Sequence, residues 1–157
     1  MYSSPLAETS AKRTFRALKC VLISSSDVFY EIFCENKDTD TIDVPDIFPE
    51  AFENMLRYIY TDEIDVTVED ALATMKCAEQ YDLPPLAGHC LDSILRDLHA
   101  SDQNCLRHLE KALTLAFAGD SVLENCWHYV DVHCEKILKS EQFNELPLTT
   151  LRMILAG

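Results

Sequence analysis

The segment Thr41–Val66 constrains the fold more than any other part of this chain. It holds an extended stretch, a turn at Pro45-Asp46, a helical stretch and a second extended stretch. Pro49 suits the first turn of a helix, because its φ is fixed near the helical value and its missing N–H needs no partner there. Apolar residues then recur at helical spacing: Phe52, Met55, Leu56 and Ile59. The segment predicts strand, turn, helix and strand, and it favours a binding surface over a catalytic one.

The composition indicates a folded, acidic chain. Its 157 residues fit one domain with a helical extension, and 48% of them are apolar, which is enough for a core. The formal net charge of −14 argues against nucleic acid and anionic membranes as partners. No apolar run approaches the roughly 20 residues that span a bilayer, and the start of the chain lacks the apolar core of a signal peptide. We therefore expect a cytoplasmic protein with no nucleic-acid or membrane partner.

The seven cysteines favour a reducing compartment. Their number is odd, and most stand beside apolar residues on predicted helical faces, where a free thiol behaves as a small hydrophobe. They are Cys20, Cys34, Cys77, Cys90, Cys105, Cys126 and Cys134. We expect buried structural thiols and not a disulfide framework.

The pattern predicts a small sheet and several helices. Residues 1–12 read as a loose tail and 15–18 as a short strand, and a polar loop at 35–40 precedes the Thr41–Val66 segment. Ser24 or Ser25 can cap a helix that carries Phe29 and Phe33. Further helix starts are indicated at Thr67 with Asp70, Pro84-Pro85, Ser101, and Ser121 with Glu124. A last helix is predicted near 149–156. The fold class predicted is α+β, with an all-α extension.

No catalytic, cofactor-binding or metal-binding residue is predicted. A zinc site needs about four ligands that converge on one point, whereas helical spacing points the candidate ligands apart. These candidates are Cys126, His128, His133 and Cys134. His89 and Cys90 are adjacent on a helix, so their side chains diverge and cannot form a thiol–imidazole pair. The sequence holds no Gly-rich phosphate loop and no G-x-S-x-G motif.

Two tyrosines and two acids cluster where the central helix ends. Tyrosine gives stiff contact area and carboxylates select a basic partner, so a docking surface is one interpretation. The other interpretation is a solvated turn beside two half-buried tyrosines. The residues are Tyr58, Tyr60, Asp62 and Glu63.

Four blocks of this sequence resemble the BTB/POZ domain followed by a BACK domain. The early strand and first helical hairpin are similar to FRALKCVLISSSDVFYEIF, residues 15–33, and the middle strand, central helix and next strand to residues 41–66. The closing helix pair is similar to ALATMKCAEQYDLPPLAGHCLDSIL, residues 71–95, and the start of BACK to residues 124–155. The nearest subgroup continues into a PHR domain. The resemblance implies a BTB/POZ domain at 13–99 and a partial BACK domain at 100–157.

The resemblance implies a non-enzymatic substrate adaptor for a cullin three RING ubiquitin ligase, which acts in ubiquitin-dependent protein degradation. Its partners would be the cullin three amino-terminal region and an unknown substrate protein. The alternative is a BTB scaffold that associates without a cullin. The family's dimerisation helix and first strand should precede Phe15, where only a short polar tail stands, so we expect a weakened homodimer.

The family's cullin-contact signature is an apolar residue, any residue, then Glu. Phe33-Cys34-Glu35 matches this pattern. The resemblance implies that Phe33 enters a cullin pocket and that Glu35 anchors beside it. In the alternative interpretation, Phe33 is the last core residue of its helix and Glu35 starts a loop.

Overall fold

The computed structural model describes residues 13–35, 41–114, 120–140, 143–144, 146–148 and 150–152. The predicted tail at 1–12, most of the 35–40 loop and much of the predicted last helix lie outside them. The helices are α1 (Lys19–Ser25), α2 (Asp27–Glu35), α3 (Pro49–Thr61), α4 (Val68–Gln80), α5 (Pro84–Leu98), α6 (Asp102–Thr114) and α7 (Asp120–Leu138). Within the described ranges, none of these helices combines the length and the apolar character that a membrane crossing requires.

The predicted sheet is wrong for the part of the chain that the structure describes, because no strand forms there. The predicted strands at 15–18 and 41–44, and the extended stretch predicted before Val66, lie outside the helices and form no strand. Alternating apolar residues favour an extended backbone, but a strand exists only where its N–H and C=O groups pair with a neighbouring strand. The α+β class is therefore replaced by a helical architecture.

The chain divides into two compact units, Met1–Gly88 and His89–Gly157. In the first unit, α1 packs against α2 and α3 against α4. Its core contains Phe29, Met55, Leu72 and Met75, each at most 1% exposed. The Phe29 ring stacks on Tyr81 at a centroid distance of 4.4 Å. This aromatic contact joins α2 to the residue that follows α4.

The second unit is built on the packing of α6 against α7. The facing helices bury Cys105, Leu109, Val122 and Cys126 completely. The helix α7 bends at His133, whose φ of −111° and ψ of 15° are not helical. Cys134, just after the bend, is exposed, so the prediction of a buried structural thiol is wrong at this position.

Most of the predicted helix starts are confirmed. Pro49 occupies the first turn of α3, and the Thr67 hydroxyl accepts a hydrogen bond from the Asp70 N–H before α4. Ser101 caps α6 through the Asn104 N–H at 3.1 Å.

Two predicted helix starts are displaced. The residue before α2 is Ser26, not Ser24 or Ser25, and its hydroxyl accepts from the Phe29 N–H while it donates to the Tyr81 carbonyl. Ser24 and Ser25 belong to α1. Ser121 lies inside α7, which begins one residue earlier.

Candidate protein-interaction surface

The four residues predicted at the end of the central helix lie in the last turn of α3 and directly after it, with Tyr58 and Tyr60 on different sides of the helix. Tyr60 is 47% exposed, and its hydroxyl accepts a hydrogen bond from the Leu18 N–H at 2.7 Å. Tyr58 is half-buried, and its carbonyl accepts from the Asp62 N–H at 2.8 Å. Glu63 is exposed beside them. We call Tyr58, Tyr60, Asp62 and Glu63 the α3-end surface.

The α3-end surface is electrostatically unbalanced. The carboxyl end of a helix carries partial negative charge, which basic side chains stabilise and acidic side chains do not. The last turn of α3 contains no basic residue, and the exposed carboxylates of Asp62 and Glu63 follow it directly. A cation brought by another molecule would therefore gain favourable energy here. Such an arrangement suits recognition of a basic partner.

The other predicted contact residues lie at the end of α2. Phe33 is only 9% exposed; its ring stacks with Phe29 at 6.3 Å, and the Lys19 ammonium lies 5.6 Å from its centroid. Glu35, the last residue of α2, is exposed. Phe33 is thus a core residue in this conformation, as the alternative interpretation had it. Its docking role, and that of Glu35, stay predictions.

Sequence reasoning missed several exposed apolar side chains of the first unit. Leu18 is 61% exposed, Tyr30 53% and Phe48 46%. The sequence predicts Leu18 in a strand, whereas its N–H donates to the Tyr60 hydroxyl. Tyr30 could have been found, because it lies outside the stripe of α2 that Phe29 and Phe33 form, about 100° around the helix from Phe29.

Within the part of the chain that the structure describes, the cysteines form no metal-binding cluster, and two buried thiols are held in their unreactive form. Burial raises the pKa of the Cys77 thiol to about 12 and that of Cys90 to about 11, so both are protonated and weakly nucleophilic at neutral pH. His89 is exposed whereas Cys90 is buried. Among the described residues, no three His, Cys, Asp or Glu side chains meet in a way that could hold a metal ion.

A polar cluster in the second unit also escaped prediction. The Asp97 carboxylate accepts hydrogen bonds from Arg107 and from Asn104, and the His108 ring lies against it. Spacing of 11 residues between an acid and a buried histidine is no recognisable motif, so only the packing of α5 and α6 reveals the pair. The cluster joins the end of α5 to α6 through these contacts.

These features define a protein-binding module: helical units with solid apolar cores, an exposed aromatic and acidic surface, and no reactive centre in the part described. The BTB/POZ domain family matches residues 6–98, which is more than half of the chain. The chain belongs to this family. BTB/POZ domains are protein-interaction domains that also mediate oligomerisation. The BTB/POZ part of the fold prediction is therefore confirmed, although the predicted sheet is not.

The chain is also similar to longer curated proteins. It is 37% identical over 139 residues to human BTB/POZ domain-containing protein 3, a match that covers 87% of this chain and 26% of the relative. It is 35% identical over 146 residues to human BTB/POZ domain-containing protein 6, covering 92% of this chain and 26% of the relative. The protein 6 of Xenopus laevis is 34% identical. The chain spans about a quarter of the length of these relatives.

Proposed function

We propose that this chain is a non-enzymatic substrate adaptor for a cullin three RING ubiquitin ligase. It binds the cullin three amino-terminal region and brings an unidentified substrate protein close to the ligase. The observation that carries the proposal is the BTB/POZ match over residues 6–98. An adaptor of this kind contributes proximity, which raises the effective concentration of the substrate, and it needs no reactive side chain of its own.

The α3-end surface supplies the contact in this proposal. Tyr60 offers a half-exposed aromatic ring whose hydroxyl is already fixed by Leu18, so binding costs little side-chain entropy. Glu63 offers a carboxylate that a basic cullin side chain neutralises. Tyrosine and charged anchors of this type carry most of the binding energy in protein interfaces.

The proposal extends to the second part of the chain. Residues 100–157 form the start of a BACK domain that lengthens the cullin contact, and the chain belongs to the subgroup whose members continue into a PHR domain. The adaptor works in the cytoplasm. Similarity to BTB/POZ domain-containing proteins 3 and 6, which reaches into these residues, supports this assignment.

Titration calorimetry with the cullin three amino-terminal region tests the proposal. Tyr60→Ala should weaken binding about tenfold or more, which corresponds to about 1.4 kcal/mol of binding free energy. Tyr30→Ala is the matched control, because Tyr30 is an equally exposed tyrosine of the same unit and lies on α2. Equal affinities for both variants would remove the α3-end surface from the interface.

The end of α2 is tested through Glu35 and not Phe33. Because Phe33 is buried, Phe33→Ala would loosen the core and lower binding for an unrelated reason. Glu35 is exposed, so Glu35→Ala leaves the packing intact. A loss of cullin affinity would support the anchoring role of this carboxylate. Absence of any cullin binding by the unmodified chain would overturn the adaptor proposal.

The second candidate is a BTB scaffold that associates without a cullin. It is favoured by the exposed apolar side chains Leu18, Tyr30 and Phe48, which suit burial against another protein chain. Light scattering distinguishes the candidates when cullin binding fails. A stable dimer that Phe48→Ser dissociates would support the scaffold, and a monomer at high concentration would oppose it.

A further inference from the structure

Two thiols meet inside the packing of α6 against α7. The Cys105 Sγ donates to the main-chain carbonyl of Cys126 at 3.7 Å, and the neighbouring Cys105 thiol raises the pKa of the Cys126 thiol. Both cysteines are free and completely buried. They come from different helices, so a bond between them would add a covalent link to the packing of α6 on α7 and to the hydrogen bond that the Tyr129 hydroxyl donates to Asp102.

We propose that Cys105 and Cys126 form a reversible disulfide that ties α6 to α7 when the protein meets a small oxidant such as hydrogen peroxide. One thiol, as its thiolate, attacks the peroxide and becomes a sulfenic acid, with release of one water. The second thiol attacks this sulfur, forms the S–S bond and releases a second water. The two thiols lose two electrons in total, and these two electrons reduce the peroxide to two molecules of water.

The closed packing protects the pair from casual oxidation. The thiolate is the reactive form, and the hydrogen bond with Cys105 together with burial raises the pKa of the Cys126 thiol far above its ordinary value. Reaction therefore requires a local opening between α6 and α7. The disulfide therefore forms only when an oxidant is present and the packing of α6 against α7 has opened locally. Once formed, it links the two helices.

Other described cysteines lack this arrangement. The buried Cys77 thiol donates to the Met55 Sδ at 3.5 Å, and a thioether cannot complete a disulfide. Cys20, Cys34 and Cys134 are exposed and are the thiols that an oxidant reaches first. Their replacement by serine leaves a chain whose four remaining thiols are all buried: Cys77, Cys90, Cys105 and Cys126.

The test uses the full chain with Cys20→Ser, Cys34→Ser and Cys134→Ser. It is treated with hydrogen peroxide across a series of urea concentrations below the unfolding transition, blocked with a thiol reagent, digested and analysed by mass spectrometry. We expect a linked peptide pair that contains Cys105 and Cys126 and is separated by dithiothreitol. Its yield should rise with urea, because opening exposes the thiols.

The oxidised chain should also unfold at a higher urea concentration than the reduced chain, because a cross-link between residues 21 positions apart restricts the unfolded state. Cys126→Ser should abolish the linked peptide and this shift, whereas Cys77→Ser should leave both unchanged. Recovery of Cys105 and Cys126 as separate blocked or over-oxidised residues throughout the series would overturn the proposal. A linked peptide without a higher urea midpoint would show that the disulfide forms but does not stabilise the packing of α6 against α7.

Discussion

The Nε2 atom of His108 lies 2.8 Å from the Asp97 Oδ2 atom, and this contact joins α6 to α5 in the second unit. The His108 side chain is only 2% exposed, and its Nδ1 has no hydrogen-bond partner among the described residues. Arg107 Nη2 contacts the same carboxylate oxygen at 2.8 Å. One carboxylate thus holds a buried ring on one side and a half-exposed cation on the other.

Asp97→Asn should destabilise the second unit by about 1.5–3 kcal/mol, the usual contribution of hydrogen bonds to a charged group. The asparagine keeps the shape but loses the charge that attracts both Arg107 and His108. Urea unfolding followed by circular dichroism measures the loss. Asp92→Asn, at an exposed position of the same helix, is the control and should stay within about 0.5 kcal/mol of the parent. An equal effect of the two variants would contradict this role of Asp97.

Stability should fall as the pH drops below the ordinary histidine pKa of 6.5. Burial, helped by the charges of Arg107 and Lys111, lowers the pKa of His108 although Asp97 raises it, so in this range the unfolded chain binds more protons than the folded chain. The stabilisation is fully present above pH 6.5 and is lost as the pH falls through the lowered folded pKa. Unfolding free energies measured across this range give the slope. His108→Gln should flatten it, whereas the exposed control His128→Gln should not.

The contribution of the Asp97 carboxylate to the unfolding free energy should be lost in stronger acid. Burial alone would raise the pKa of the Asp97 carboxyl, but the hydrogen bonds from His108 and Arg107 outweigh it and hold the pKa below its ordinary value of 3.8. The stabilisation from this lowered pKa is present above pH 3.8 and is lost as the pH falls through the folded value. Acid titration of the unfolding free energy should show this step in the parent and lack it in Asp97→Asn.

Phe29→Ala and Tyr30→Ala should differ sharply although the residues are adjacent. Phe29 is 1% exposed and stacks on Tyr81, so its truncation leaves a cavity and should cost about 3–5 kcal/mol. Tyr30 is 53% exposed, and its truncation should cost less than about 1 kcal/mol. Thermal unfolding of the two variants under one set of conditions makes the comparison. Similar midpoints would show that the described core is wrong.

Thr67→Ala should weaken the start of α4 by about 0.5–2 kcal/mol, because the Asp70 N–H loses the hydroxyl that accepts its hydrogen bond. Thr67→Ser keeps that hydroxyl and serves as the matched control. Hydrogen exchange at the first turn of α4 reports the effect locally. Protection that is unchanged in Thr67→Ala would show that the cap does not stabilise this turn.

Local signals in the sequence were enough to locate most of the helices. A fixed φ at Pro49 and the cap hydroxyls of Thr67 and Ser101 act over one turn of chain, so they are readable without any tertiary information. The cap before α2 was misassigned by one or two positions because Ser24, Ser25 and Ser26 are chemically equivalent in the sequence. What selects Ser26 is its bond to the Tyr81 carbonyl, 55 residues away.

Contacts between residues that are far apart in the chain could not be predicted from the sequence. The alternation at 41–44 indicated a strand, but strand formation depends on a backbone partner that the pattern cannot supply. The exposed acids of the α3-end surface follow from composition and position, whereas the bond from Leu18 to Tyr60 spans 42 residues. The buried His108 was missed for the same reason, since its anchor on Asp97 exists only after α5 and α6 have packed.

Asp62 has a φ of 57°, in the left-handed region, where it ends α3. Asparagine and glycine tolerate this backbone geometry, and β-branched residues do not. The position therefore combines an exposed negative charge, which belongs to the interface proposed above, with the backbone conformation that ends the helix. Substitution by asparagine would remove the charge and keep the backbone conformation at the end of α3. Substitution by valine would strain the backbone there and displace the residues of the α3-end surface.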